Sequence, residues 1–94
     1  MVTYAEALAA CVARFGHPAD VYAVSACARA WWALSWDGES ADEDGVLLAE
    51  THTGAVELSG MIGVACATRW PIRDAAELPG VIDAAERWMT ERYP

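Results

Sequence analysis

The segment from Ala30 to Gly60 places the strongest constraint on the fold of this chain. It contains the apolar stretch AWWALSW, the acidic run DGESADEDG, and two apolar runs, VLLAE and AVELSG, around the turn THTG. Two apolar runs separated by a short polar turn with a glycine are the pattern of a β-hairpin. We therefore expect strands at about 46–50 and 55–59. A third strand is expected at about 61–68, with bends at Gly60 and Gly63, and Trp70-Pro71 should end it.

Helices are predicted on both sides of these strands. Thr3 and Glu6 form the capping-box pattern of a helix start, and apolar residues then recur at helical spacing until Phe15. Near the other end, Asp74 can cap a short turn, and Pro79 fits the first turn of a helix that continues to about Arg92. The order of elements predicts an α+β domain, with an N-terminal helix packed on a three- to four-stranded antiparallel sheet, plus a C-terminal helix.

Residues 21–36 are compatible with one buried helix or with two strands. Val21, Tyr22, Val24 and the tryptophans favour strands, which we expect at about 21–27 and 30–36. In the second strand the period of two places Trp32, Leu34 and Trp36 on one face. That set should face the helices. Trp31 then lies on the opposite face of the sheet, where it is either a binding anchor or a packing residue.

Charge limits the classes of partner. The 94 residues include 14 acids and 6 arginines with no lysine, which gives a net charge of −8. Neither nucleic acid nor an anionic membrane is expected as a partner, because both require a basic surface. An acidic surface fits a basic protein partner that is attracted over long range, although acidity also serves solubility alone. The acidic part of the candidate partner-binding set is Asp37, Glu39, Asp42, Glu43 and Asp44.

The sequence contains no recognisable catalytic, metal or cofactor signature. Cys11, Cys27 and Cys66 are far apart and form no CxxC pair, so we expect buried thiols and no zinc site. His17 and His52 are predicted in connecting segments without a nucleophile motif beside them. No glycine-rich phosphate loop is present, and no cofactor is expected. No secretion signal and no apolar run of membrane-spanning length is found, so a cytoplasmic single domain is expected.

Three short motifs resemble the small bacterial YrhB-like family, which includes immunity proteins of polymorphic toxin systems. The N-terminus MVTYAEAL is similar to the MxTYxEAL start of that family. A central aromatic strand with Trp31, Trp32 and Trp36, and a hairpin with Thr53-Gly54 before Val56, complete the resemblance over about residues 1–60. The resemblance implies a binding protein that neutralises a toxin by occluding it.

Two other functions fit the residues. A small-molecule or enzymatic domain would hold a pocket beside Trp32 and Trp36, and a solid core there would argue against it. A structural subunit would instead dimerise through Trp31 and its face of the sheet. The leading hypothesis is the small acidic immunity protein or inhibitor.

Overall fold

The computed structural model describes residues 2–33 and 44–92 of the chain. Within these ranges the elements form an α+β domain that begins and ends with a helix, as the sequence predicts. They are, in chain order, α1 (Tyr4–Phe15), β1 (Asp20–Val24), β2 (Cys27–Ala33), β3 (Gly45–Glu50), β4 (Val56–Ile62), β5 (Ala65–Ile72), a 3₁₀ turn (Ala75–Glu77) and α2 (Leu78–Arg92).

The five strands form one antiparallel sheet in the order β1-β2-β3-β4-β5. Each strand therefore pairs with the next one along the chain, and every connection within the described ranges joins neighbouring strands. The sheet has five strands where the sequence predicted three or four. The lower number reflects residues 21–36, which the sequence also allowed as one helix. Strands β1 and β2 form there the first of two hairpins whose turns the sequence pattern does not mark clearly.

The first of these hairpins turns at Ser25 and Ala26. Both residues have positive φ angles, 51° and 66°, and Val24 pairs with Cys27 across the turn. Two successive positive φ values are the geometry of a type I′ turn, which usually carries Asn and Gly. The structure confirms two strands and not one helix in this part of the chain, but it corrects their limits. The first, expected at about 21–27, ends at Val24, and the second, expected at about 30–36, begins at Cys27, because Ser25 and Ala26 form a turn without glycine or proline. Leu34 and Trp36 lie outside the described residues.

The second hairpin corrects the strand expected over residues 61–68. β4 continues through Gly60 to Ile62, the chain turns at Gly63, and β5 then extends to Ile72. The ladder is irregular between Gly60 and Met61. Trp70 and Pro71 lie inside β5 and do not end it. Proline is tolerated there because β5 is an edge strand, which leaves outward-facing N–H positions without a partner strand.

Helix α1 begins as its capping pattern predicts. The Thr3 hydroxyl accepts a hydrogen bond from the Glu6 amide at 3.2 Å, and it donates to the Glu6 carboxylate at 3.1 Å. At the other end Gly16 has a φ of 84° and its amide donates to the Val12 carbonyl at 2.9 Å. These contacts satisfy backbone groups that a helix end otherwise leaves without partners.

Trp32 connects α1 to the sheet. Its indole is buried, its Nε1 donates a hydrogen bond to the Gly16 carbonyl at 2.9 Å, and its ring meets Phe15 edge-to-face at 5.9 Å. A buried tryptophan is stable in a core when its N–H has a partner, as here. The interior next to Trp32 is filled by buried side chains from α1, α2 and the strands: Cys11, Val46, Leu48, Leu58 and Ile82.

Helix α2 covers the other half of the same sheet face. Trp88 packs edge-to-face against Trp70 of β5 with ring centroids 6.2 Å apart, and Ile82 and Ala85 are buried. Arg14 of α1 also forms an ion pair with Asp83 of α2 at 2.7 Å. Both helices therefore lie on the same face of the sheet, and they contact each other there.

Gly60→Ala should destabilise the fold. A Cβ at this position would lie 2.9 Å from Cε2 of Trp88 and 3.0 Å from Cγ2 of Thr68, so the tryptophan would have to move. Overpacking of this kind costs about 1–3 kcal/mol. The control is Gly80→Ala in α2, where nothing lies within 4 Å of an added Cβ. There the free energy of unfolding in urea should stay equal or rise by up to about 1 kcal/mol. Equal losses in both variants would contradict the packing of Trp88 on Gly60.

Ala26→Gly should stabilise the fold. An alanine at a φ of 66° is strained, and glycine reaches this conformation without a steric penalty. Glycine also loses more chain entropy on folding, so the net gain should be up to about 1 kcal/mol. Ala23→Gly within β1 is the matched control and should destabilise. Thermal unfolding of both variants measures the difference, and a lower melting temperature for Ala26→Gly would contradict the turn geometry.

Candidate functional site

The face of the sheet opposite the two helices is the candidate surface that contains Trp31. Successive residues of a strand point to opposite faces, so the neighbours of the core residues belong to this second face. We call it the open face. Its side chains come from all five strands: Tyr22, Arg29, Trp31, Leu47, Ala49, Glu57, Ser59, Met61 and Arg69.

Trp31 lies on the open face, as the period of two predicts. It pairs with Asp20 on β1 and with Leu47 on β3, and it is partly buried. The ring lies over Gly45, where an added Cβ would come within 2.7 Å of the indole Cη2. Trp31 also lines a shallow hollow of about 290 Å³ together with Tyr22 and Leu47. Its ring is therefore positioned by a close backbone contact and is still partly accessible.

Asp44 differs from the solvated loop residue that the sequence suggested. It is 8% exposed, accepts a hydrogen bond from the Gly63 amide at 3.0 Å and pairs with Nε of Arg92 at 3.1 Å. These contacts connect the start of β3 to the β4–β5 turn and to the end of α2. The Asp44 carboxylate is therefore engaged inside the protein. The other acidic candidates, Asp37, Glu39, Asp42 and Glu43, lie outside the described residues.

A deeper hollow of about 420 Å³ occupies the open face beside the two-residue turn of β1–β2 and the turn of β3–β4. Leu47, Ala49 and Met61 are apolar residues of its lining, and Leu47 and Met61 also line the smaller hollow. The larger volume falls within the usual range of small-ligand pockets. Neither of these two hollows is lined by Trp32, which belongs to the buried cluster between the helices and the sheet.

Cys27 and His52 meet at the edge of the larger hollow. The Cys27 sulfur lies 3.5 Å from Nδ1 of His52, within hydrogen-bonding distance for sulfur. The sequence predicted both as unrelated core and connector residues, because 25 positions separate them. Two hairpins side by side bring their turns together, and that pairing depends on strand register, which no local motif encodes.

Two arginines line the larger hollow in different surroundings. Arg69, on edge strand β5, is near Cys66 and Glu57, and hydrogen bonding with Cys66 and the charges of both residues raise its pKa. Arg29 lies on β2 with Tyr22 and Ala49 as its cross-strand neighbours. The Nε of Arg29 is buried and has no hydrogen-bond partner in the described part of the chain. Neither arginine belongs to a sequence motif, so only the pairing of the strands places both of them in one hollow.

Two side chains of α1, the phenol of Tyr4 and the thiol of Cys11, have raised pKa values. Burial raises the pKa of the Cys11 thiol to about 12. Burial also raises the pKa of Tyr4, and the charges of Glu50 and Cys11 add to that effect. Both groups are therefore neutral at physiological pH, which suits a position between α1 and the sheet.

Residues 2–33 and 44–92 contain no cluster of three His, Cys, Asp or Glu side chains that could hold a metal ion. In the same ranges no helix combines the length and apolar character needed to cross a membrane.

Comparison of the chain with protein-family models, with curated proteins and with solved structures finds no match. The resemblance of residues 1–60 to YrhB-like proteins therefore stays a prediction from short motifs.

Asp44→Asn should destabilise the protein by about 1–3 kcal/mol, because it removes the charge that pairs with Arg92 in a largely buried position. The matched control is Asp83→Asn, which removes one partner of an exposed ion pair with Arg14. Exposed pairs of this kind add little to stability, because solvent screens them. Urea unfolding at pH 7 compares the two variants. A loss for Asp44→Asn no larger than that for Asp83→Asn would contradict a structural role for Asp44.

Proposed function

We propose that this chain is a small acidic binding protein that acts in the cytoplasm and neutralises a toxin or effector protein by occlusion, as immunity proteins do. The observation that carries the proposal is the open face. A sheet covered by helices on one face only, with a tryptophan and a tyrosine on the other, offers a broad surface with aromatic anchors. Aromatic residues of this kind often dominate protein interfaces.

The exposed edge of the sheet supports the same proposal. β1 is exposed along its whole length, and Val21, Tyr22 and Val24 are 59%, 40% and 46% exposed. Solvent-exposed edge strands are usually protected by charges, by proline or by a covering element. Within β1 the sequence DVYAV offers one acid and no proline. A partner that extends from the open face over strand β1 would also cover this apolar edge.

Charge indicates the chemistry of the partner. Four of the 14 acids lie between Asp37 and Glu43, next in the chain to the strand that carries Trp31. We propose that these acids attract a basic surface of the partner and that the open face makes the apolar contact. Complementary charges raise association rates more than they raise affinity, so their effect should depend on salt.

The resemblance to YrhB-like proteins supports a toxin as the proposed partner. Immunity proteins are encoded beside the toxin that they neutralise, so the reading frame next to this one provides the first test. A secreted protein with a toxin-like C-terminal domain supports the proposal. A biosynthetic operon in that place would contradict it.

The second test uses that C-terminal toxin domain and two exposed residues of one strand. Tyr22 faces the open side, whereas Val21 pairs with Ala30 and points to the helix side. Tyr22→Ser should weaken binding at least tenfold and abolish protection of cells that express the toxin, because hot-spot aromatics contribute about 2 kcal/mol or more. Val21→Ser should change binding less than threefold. Equal effects of the two substitutions would remove the open face from the interface.

Charge reversal at Asp42 and Glu43 tests the electrostatic part separately. The double variant with lysine at both positions should associate more slowly at low salt, and the difference should shrink at high salt. Asp44 is left unchanged, since its substitution disturbs the fold. Stopped-flow association rates supply the measurement. Rates that respond neither to the reversal nor to salt would contradict acidic docking while leaving the open face as the contact surface.

A further inference from the structure

Arg29 is the most unusual residue of the open face. It lies within β2 and pairs with Tyr22 on β1 and with Ala49 on β3. Neither of these cross-strand neighbours carries a charge. Among residues 2–33 and 44–92 it forms no ion pair with a carboxylate, and its buried Nε has no hydrogen-bond acceptor. A buried donor left without a partner costs about 1–3 kcal/mol, and more when the group is charged.

The surroundings of Arg29 indicate a ligand. Native proteins rarely leave a buried polar group unsatisfied, so such a group often marks the place where water, an ion or a ligand binds. Arg29 lines the hollow of about 420 Å³ on the open face, which is large enough for a small molecule. The orphaned Nε shows that the described part of the chain does not satisfy this guanidinium, and the hollow that Arg29 lines gives an acceptor room beside it.

The charged groups around the hollow define the ligand further. Glu57 and Arg69 both line it, and hydrogen bonding with Cys66 and, to a smaller extent, the charge of Glu57 raise the pKa of Arg69. Glu50 also lines it, but the same carboxylate raises the pKa of Tyr4 on the helix side. The lining thus contains two arginines and two glutamates, and Arg29 is distinguished by its lack of an ion-pair partner among the described residues, not by an excess of positive charge. Within a protein of net charge −8, a single negative charge is accommodated more easily than two.

The rest of the lining is suited to a ligand that is partly apolar. Met61 is a partly exposed apolar residue of the lining, Leu47 and Ala49 add smaller exposed parts of 9% and 5%, and His52 beside Cys27 offers a ring nitrogen. A guanidinium binds a carboxylate through two parallel hydrogen bonds. In Arg29 these would come from the two outer nitrogens, since Nε is buried. We propose that the hollow binds a small monocarboxylate with an apolar tail, whose carboxylate pairs with the Arg29 guanidinium.

This inference does not depend on the proposed toxin-binding function. A ligand in the hollow would lie on the same face as Trp31 and Tyr22, so the site gives the open face a second use. Loss of carboxylate binding in an Arg29 variant that still protects cells from the toxin would separate the two proposals.

The experiment follows the arginine Nε–Hε signals of the ¹⁵N-labelled protein by NMR during titration with hexanoate. The chain has six arginines, and Arg29→Lys identifies the Arg29 signal by its disappearance. We expect that signal to shift and saturate with a Kd on the order of 1–10 mM, as the size of the ligand allows. Hexanamide, which has the same shape without the charge, and inorganic phosphate should bind at least tenfold more weakly.

Three variants complete the test, and backbone amide shifts report binding where the Arg29 signal is lost. Arg29→Gln and Arg29→Lys should each weaken hexanoate binding at least tenfold, since one loses the charge and the other loses the fork of donors. Arg69→Gln should change it less than threefold. The amide spectrum of each variant verifies that it is folded, and Arg29→Lys keeps the charge if the glutamine variant is unstable.

Other outcomes overturn the proposal. Absence of a saturable shift at Arg29 up to about 100 mM hexanoate, roughly ten times the upper end of the expected Kd, would contradict a carboxylate site. Phosphate binding as tight as hexanoate binding, or an equal loss in Arg69→Gln, would contradict the assigned ligand or the assigned residue.

Discussion

Coverage of one sheet face by both helices is the constraint on which the rest of this structure depends. Trp32 anchors α1 through Phe15 and the Gly16 carbonyl, and Trp88 anchors α2 against Trp70 over Gly60. The ion pair between Arg14 and Asp83 contributes less, because both groups are exposed. The large apolar side chains are thereby concentrated on one side. The other side is left with a mixture of aromatic, charged and small residues.

The sequence predicted the elements that local patterns encode. The α1 cap at Thr3 and Glu6, the β3–β4 hairpin, and the Pro79 start of the last helix all appear in the structure. Each depends on contacts between residues a few positions apart. The placement of Trp31 and Trp32 on opposite faces also followed from the period of two, and the structure confirms it.

The parts that the sequence missed depend on register and on unusual turn residues. Ser25 and Ala26 adopt positive φ without glycine, so nothing local marked the β1–β2 turn. The meeting of Cys27 with His52, and the isolation of Arg29 among neutral neighbours, appear only once five strands are paired. Asp44 belonged to an acidic run in the sequence, yet its contacts with Gly63 and Arg92 are made across the fold.

The central claim is that the face opposite the helices is accessible in the folded protein, and hydroxyl-radical footprinting with mass spectrometry tests it most directly. The account predicts that Tyr22, Met61 and the Trp31 ring are oxidised in the native protein, while Trp32 and Leu48 are protected. It also predicts that protection disappears on unfolding. Equal protection of Trp31, Met61 and Trp32 in the native protein would contradict the account, because the open face would then be covered.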